Sequence, residues 1–143
     1  MYGCTKNLLN KLQKIQNCAA RVVTGAKKFD HVKPILESLH WLPVSSRIEF
    51  KIALLTYKCL NGLAPQYLAD LLVPYKSSRQ LRSSNKSMLK VPKTNTKTFG
   101  SRAFTYAAPT VWNALPEYVK KSNNVESFKK LLKSHYFKMA YGK

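Results

Sequence analysis

The residue types that could do chemistry in this sequence are few carboxylates and many cations. The carboxylates stand singly along the chain, and no Asp-Asp pair occurs. They are Asp30, Glu37, Glu49, Asp70, Glu117 and Glu126. Polymerases, nucleases and phosphatases that use two metal ions need carboxylates that converge on one site. The spacing therefore predicts no catalytic carboxylate cluster.

Nucleophilic and metal-binding residue types are equally scattered. The cysteines show no C-x-x-C spacing, and the histidines complete no ligand set. The residues are Cys4, Cys18, Cys59, His31, His40 and His135. No G-x-S-x-G elbow, P-loop or G-x-G-x-x-G fingerprint is present, although a triad built from distant residues stays open. We predict a chain that is not an enzyme and that uses no metal and no cofactor.

The cations are concentrated where acidic residues are missing. Lys and Arg number 25 against 6 Asp and Glu, which gives a formal net charge of +19. Between Leu71 and Leu115 no acidic residue occurs, and eight cations recur every three to five positions. Binding of phosphates by these cations is favourable, because each phosphate that is neutralised releases condensed counterions. We predict that RNA or DNA backbone is bound, without sequence specificity, by Lys76, Arg79, Arg82, Lys86, Lys90, Lys93, Lys97 and Arg102.

Aromatic residues are interleaved with these cations. They are Tyr75, Phe99, Phe104 and Tyr106. If exposed, their rings could stack on unpaired bases. The alternative is a solvated loop whose aromatic residues pack back on the core, and the core is favoured for Phe104 and Trp112, because large aromatic residues are mostly buried.

Helical periodicity dominates outside this basic segment and predicts a mainly α fold. We expect a small helical domain over residues 6–74, a basic extended or flexible segment over residues 75–98, and a C-terminal segment over residues 99–143. The terminal helix of the last segment should pack on the first. Apolar residues at steps of four and three predict a first helix that ends near Gly25. This apolar stripe is expected to lie in the core, and the alternative is that it packs against another chain. The stripe consists of Leu8, Leu12, Ile15, Ala19 and Val22.

Capping signals predict where the other helices begin. Ser46-Arg47-Ile48-Glu49 has the S-x-x-E form of a capping box. Pro34 and Pro65 suit the first position of short helices, and Asn124 suits the N-cap of a last helix over residues 125–139. The piece Met88-Leu89-Lys90-Val91 is either a strand or an apolar contact with the helices.

The sequence contains no run of about 18 apolar residues that could span a bilayer, and its N-terminus has no signal-peptide core. We therefore expect an intracellular protein, in the nucleus or the cytoplasm. An anionic membrane surface is a weaker alternative partner. It would be bound by the last helix, with Tyr136, Phe137, Met139 and Tyr141 on the buried side.

Short motifs follow one another in a definite order over about residues 12–137. They are Ser38-Leu39-His40-Trp41-Leu42-Pro43-Val44, Asn61-Gly62-Leu63-Ala64-Pro65, Leu81-Arg82-Ser83-Ser84, Gly100-Ser101-Arg102-Ala103-Phe104, Ala107-Ala108-Pro109, and Trp112-Asn113 with Leu115-Pro116. In this order and spacing they resemble the C-terminal region of jockey-like LINE (non-LTR) retrotransposon reverse transcriptases. The parent family is an RNA-directed DNA polymerase, and its catalytic aspartates in a Phe/Tyr-Ala-Asp-Asp motif have no counterpart here.

The resemblance implies a helical, basic accessory region that helps to grip template RNA or target DNA. The implied partners are the nucleic-acid backbone and a polymerase core or second subunit. The alternative is a structural or interaction fragment, or a genomic remnant with no independent activity. Within the motif His40-Trp41-Leu42-Pro43 we expect an indole packed between two helices and an imidazole that caps a chain reversal. A base-stacking role for Trp41 would require an exposed ring.

Overall fold

The structure is a computed structural model that describes residues 2–75, 87–94, 96 and 99–142. Within these residues the helices are α1 (Lys6–Thr24), α2 (Val32–Ser38), α3 (Val44–Leu60), α4 (Gln66–Ala69), α5 (Phe104–Ala114), α6 (Glu117–Lys120) and α7 (Val125–Tyr141), with a 3-10 helix at Gly100–Arg102. The same residues contain an isolated antiparallel β-bridge between Pro74 and Leu89. The predicted mainly α fold is confirmed, whereas the boundaries of the three segments stay predictions.

Helix α3 forms the centre of the core, because it packs against both α5 and α7. Phe128 of α7 is fully buried. Its ring lies stacked 4.2 Å from Tyr57 of α3 and 6.1 Å from Trp112 of α5, measured between ring centroids. One aromatic stack therefore joins α3, α5 and α7. The prediction that Trp112 is buried is confirmed, since its side chain is 3% exposed.

Helix α5 was missed by the sequence patterns because Pro109 lies inside it. A proline has no N–H to bond the carbonyl one turn earlier, and its ring crowds that carbonyl. Ala107, Ala108, Val111 and Trp112 of the same helix are nevertheless buried. The helix continues through Pro109 because burial of this face outweighs the local cost.

The capping-box prediction for α3 was wrong. The helix begins at Val44 after an N-cap residue, Pro43, that makes no side-chain cap bond. Gln13 of α1 supplies the acceptor instead: its Oε1 accepts from the Val44 backbone N–H at 2.9 Å. An amide on another helix thus satisfies a donor that a local cap would otherwise satisfy. At α7 the local prediction was right, since the Asn124 side chain accepts from Ser127 N–H at 2.7 Å.

Helix α1 turns a different face to the core from the one predicted. Ile15 and Val22 of its apolar stripe are 66% and 82% exposed, whereas Gln16 and Ala20 are buried. The Gln16 Nε2 donates to the backbone carbonyl of Leu42 at 2.9 Å. The prediction that the stripe lies in the core was wrong, because polar contacts hold the opposite side of α1 against α2 and α3.

Backbone groups close the turn between α2 and α3. His40 adopts a left-handed φ of 51°, its N–H donates to the Glu37 carbonyl at 2.9 Å, and Trp41 N–H donates to the Leu36 carbonyl at 2.8 Å. This pattern is a Schellman motif with a histidine where glycine is usual. The imidazole itself lies 5.6 Å from the Phe137 ring. The prediction that the imidazole caps this chain reversal was therefore wrong, because backbone N–H groups cap it.

Candidate nucleic-acid interface

Three of the eight predicted backbone-binding cations lie within the described residues. Lys90 and Lys93 are exposed. Arg102 is also exposed, but its Nε donates to the Gly3 carbonyl at 3.2 Å, so it also holds the N-terminal segment. The other five lie outside the described residues: Lys76, Arg79, Arg82, Lys86 and Lys97. The structure therefore describes how the residues that flank residues 76–86 are held.

The chain on either side of residues 76–86 pairs with itself. Tyr75 N–H donates to the Met88 carbonyl at 2.9 Å, and Lys90 N–H donates to the Val73 carbonyl at 2.8 Å. Residues 73–75 and 88–90 therefore lie side by side at one point of the described structure.

Two side chains of α5 fasten this point to the core. Asn113 accepts from Leu89 N–H through Oδ1 at 2.9 Å and donates through Nδ2 to the Leu89 carbonyl at 2.8 Å. The Trp112 Nε1 donates to the Ser87 carbonyl at 2.9 Å. Leu89 is only 4% exposed, so of the two alternatives for residues 88–91 the apolar contact with the helices is confirmed.

The interleaved aromatic residues divide into two pairs. Tyr75 and Phe99 are 54% and 78% exposed, and so remain available as stacking surfaces. Phe104 and Tyr106 of α5 are half-buried. Phe104 packs against the core cluster, which confirms the prediction made for it.

A cavity of about 390 Å³ beside the α2–α3 turn combines rings with cations. Its lining residues come from the turn, from α3 and from α7: His40, Trp41, Leu42, Arg47, Phe50, Lys51 and Lys133. Trp41 is half-buried and lines this cavity, and the expectation of an indole packed between two helices stays a prediction. Rings that stack and cations that pair with phosphate are what an unpaired nucleotide needs. Sequence reasoning missed this set because Lys133 joins it only in the fold.

A larger groove of about 710 Å³ lies between α1 and α3. Most of its lining is apolar, and Gln16 and the cations Arg47, Lys51 and Arg102 lie beside these residues: Tyr2, Leu12, Ile15, Ala19, Trp41, Val44, Ile48, Ile52, Phe104 and Ala107. Among the described residues the ion pairs are Lys120–Glu117 at 3.3 Å and Lys129–Glu126 at 2.6 Å. The groove cations therefore have no ion-pair partner in the described part of the chain.

The shifted pKa values of tyrosine, cysteine and histidine side chains favour the neutral forms of these groups. Burial, then the charge of Glu49 and a hydrogen bond to it, raise the pKa of Tyr136 far above its ordinary value. Burial and then Glu49 also raise the pKa of Tyr2. Burial raises the pKa of the Cys59 thiol and lowers the pKa of His135. These shifts make neither a thiolate nor a phenolate nucleophile, and no three His, Cys, Asp or Glu side chains of the described residues gather closely enough to hold a metal ion.

Three of the four residues of α7 that the weaker alternative placed on a membrane contact other parts of the protein, whereas Met139 is 69% exposed. Tyr136 is 4% exposed, and the Tyr141 hydroxyl donates to the Trp41 carbonyl at 2.6 Å. Phe137 lies between the rings of His40 and Tyr141, 5.6 Å and 4.6 Å away. In the part of the chain that the structure describes, no helix is long and apolar enough to cross a membrane.

No protein-family model, no curated protein and no solved structure matches this chain. The contacts around residues 73–75 and 87–90, the two cavities and the ordered sequence motifs are therefore what supports a function.

Proposed function

We propose that this chain is a non-catalytic, basic region that binds RNA or DNA through the phosphate backbone, largely without sequence specificity. One observation carries the proposal: eight cations and no carboxylate lie between Asp70 and Glu117. A segment of one charge sign repels itself, and phosphates relieve that repulsion while counterions are released. The resemblance to the C-terminal region of LINE reverse transcriptases supports nucleic acid as the polymer.

The way this segment is attached supports the same function. Residues 73–75 and 88–90, on either side of residues 76–86, are held together by backbone pairing, and Trp112 and Asn113 hold residues 87 and 89 against α5. The entropy cost of bringing these two stretches together is therefore met during folding rather than during binding. A nucleic-acid strand that contacts Lys90 meets a backbone that is already held in place.

Affinity for nucleic acid should fall steeply with salt. If about five cations contact phosphates, the logarithm of affinity should fall against the logarithm of salt with a slope of about −3.5 for a single strand and about −4.5 for a duplex. Fluorescence anisotropy of a labelled oligonucleotide, titrated at several salt concentrations, measures the slope. Oligonucleotides of different base sequence serve as the control and should bind alike. A slope near zero, or a strong sequence preference, would contradict the proposal.

An unpaired base is expected to stack on Trp41 in the smaller cavity. The protein has two tryptophans, and Trp112 is 3% exposed with its Nε1 bonded to Ser87. A bound single strand should therefore quench the fluorescence of Trp41 and leave that of Trp112 unchanged. Trp41→Leu should abolish the quenching and weaken single-strand binding about tenfold, because one base–aromatic contact is worth about 1–3 kcal/mol. Duplex binding is the control, since its bases stay paired, and equal losses for duplex and single strand would argue against stacking.

A second candidate function is binding to another protein chain, such as the polymerase core or second subunit that the resemblance implies. The observation that favours it is the open apolar stripe of α1, where Leu8, Ile15 and Val22 are 44%, 66% and 82% exposed. Exposed apolar surface of this kind marks interaction sites. Sedimentation and electrophoretic mobility, measured on one sample, separate self-association from nucleic-acid binding.

A further inference from the structure

The groove between α1 and α3 is an apolar feature that nucleic-acid binding leaves unexplained. Leu12 and Ile15 of α1 face Ile48 and Ile52 of α3 across it. Ile15 is 66% exposed. Contact with this apolar surface does not stabilise a bound phosphate backbone. An apolar side chain, in contrast, is stabilised by about 25 cal/mol for each Å² that is removed from water.

Cations stand beside this apolar floor. Arg47 and Lys51 lie one turn apart on α3, and Arg102 follows at the 3-10 helix. None of the three has an ion-pair partner among the described residues. The groove therefore suits an occupant that combines apolar side chains with carboxylates.

The walls of the groove indicate how this occupant is recognised. Both α1 and α3 are regular helices, so the backbone donors and acceptors along the groove are bonded within them. They offer no strand edge that an extended peptide could extend. Recognition must come from side chains, as when an amphipathic helix lies in a groove. The groove is lined by α1 from Leu12 to Ala19 and by α3 from Val44 to Ile52. This is about 12 Å of helix, which is enough for about two turns of a partner helix.

A second copy of this chain fits the groove poorly. Each copy carries a formal net charge of +19, with 6 acidic residues against 25 basic ones. Docking two copies through this face would bring Arg47, Lys51 and Arg102 of one near the cations of the other. Like charges brought together at an interface disfavour that pairing.

We propose that the groove binds an acidic amphipathic helix of another protein. The apolar face of that helix lies on Ile15 and Ile48, and its carboxylates pair with Arg47, Lys51 and Arg102. The proposal rests on the second candidate function, binding to another protein chain.

The experiment uses the full chain and a fluorescent synthetic peptide of about four helical turns. Leucines three and four positions apart form one face of the peptide, and glutamates flank them. A control peptide of the same composition has its leucines dispersed, so it keeps the charge and loses the apolar face. Ile15→Ser changes the groove floor. Val22→Ser is its matched control, since Val22 lies on the same helix, is 82% exposed and does not line the groove.

The amphipathic peptide should bind at least about tenfold more tightly than the dispersed one in anisotropy titrations. Ile15→Ser should weaken it about tenfold and Val22→Ser should not. Arg47→Glu should also weaken it about tenfold, whereas Lys138→Glu, the same charge change at an exposed position outside the groove, should have little effect.

Several results would overturn the proposal. Equal binding of both peptides, or equal losses in Ile15→Ser and Val22→Ser, would show attraction by charge alone. Self-association that Ile15→Ser abolishes would assign the groove to a second copy, and protein binding would survive as the function. Oligonucleotide binding that Ile15→Ser weakens as much as peptide binding would assign the groove to nucleic acid. A monomer that binds neither peptide would remove the second candidate function as well.

Discussion

Replacing Phe128 with Ala should lower the free energy of unfolding by about 3–5 kcal/mol. Phe128 is 0% exposed, and its ring stacks on Tyr57 and Trp112. Its removal leaves a cavity where α3, α5 and α7 meet, and both stacked contacts are lost. A domain of ordinary stability has only about 5–15 kcal/mol in total, so the variant should be close to unfolding. Urea denaturation followed by far-ultraviolet circular dichroism measures the change.

Phe29→Ala is the matched control for this substitution. Phe29 is 90% exposed, so removal of its ring should change the free energy of unfolding by no more than about 0.5 kcal/mol. Similar losses at Phe29 and Phe128 would contradict the placement of the core around α3.

Sequence periodicity predicted which long helices exist more reliably than which face each one buries. Gly25, with φ 66°, ends α1 as predicted, and Asn124 caps α7 as predicted. Signals of this kind depend on neighbouring residues alone. The missed helix α5 shows the limit, because burial of Ala108 and Trp112 decides the outcome at Pro109, and that burial comes from distant parts of the chain.

Helix α1 shows why an apolar stripe does not always identify a core. Gln13 and Gln16 attach the other side of α1 to the α2–α3 turn through Val44 and Leu42. Each of these bonds joins residues far apart in the sequence, so no local pattern predicts them. The periodicity predicted the helix itself correctly. The stripe is exposed on the structure, which supports the alternative that it packs against another chain.

The candidate site was predictable in its charge and not in its geometry. The one-signed segment follows from residue types, which left a strand and an apolar contact as alternatives around Leu89. The bonds from Trp112 and Asn113 that hold this contact, and the meeting of Lys51 with Lys133 beside Trp41, depend on how α3, α5 and α7 pack. Charge composition therefore indicates a class of partner, whereas folding decides where that partner can be held.

Neutralising five cations of the basic segment should lower single-strand affinity about a thousandfold at about 0.15 M salt. Each phosphate contact with a single strand contributes about 0.6 to the logarithm of affinity at this salt concentration, and five such losses add. The salt slope should become shallower by about 3.5 at the same time. The variant carries Gln in place of Arg79, Arg82, Lys86, Lys90 and Lys93. Anisotropy titrations over a range of salt concentrations measure both quantities.

A second variant with the same loss of charge tests whether this segment or the whole molecule attracts nucleic acid. It carries Gln at five lysines that are exposed elsewhere on the structure: Lys27, Lys28, Lys33, Lys121 and Lys138. Both variants lower the net charge of +19 by the same amount, but charges more than about 8 Å from a phosphate are largely screened at this salt concentration. The second variant should therefore keep most of its affinity and its slope. If both variants lose affinity equally, the binding belongs to the overall charge, and the assignment to the basic segment is wrong.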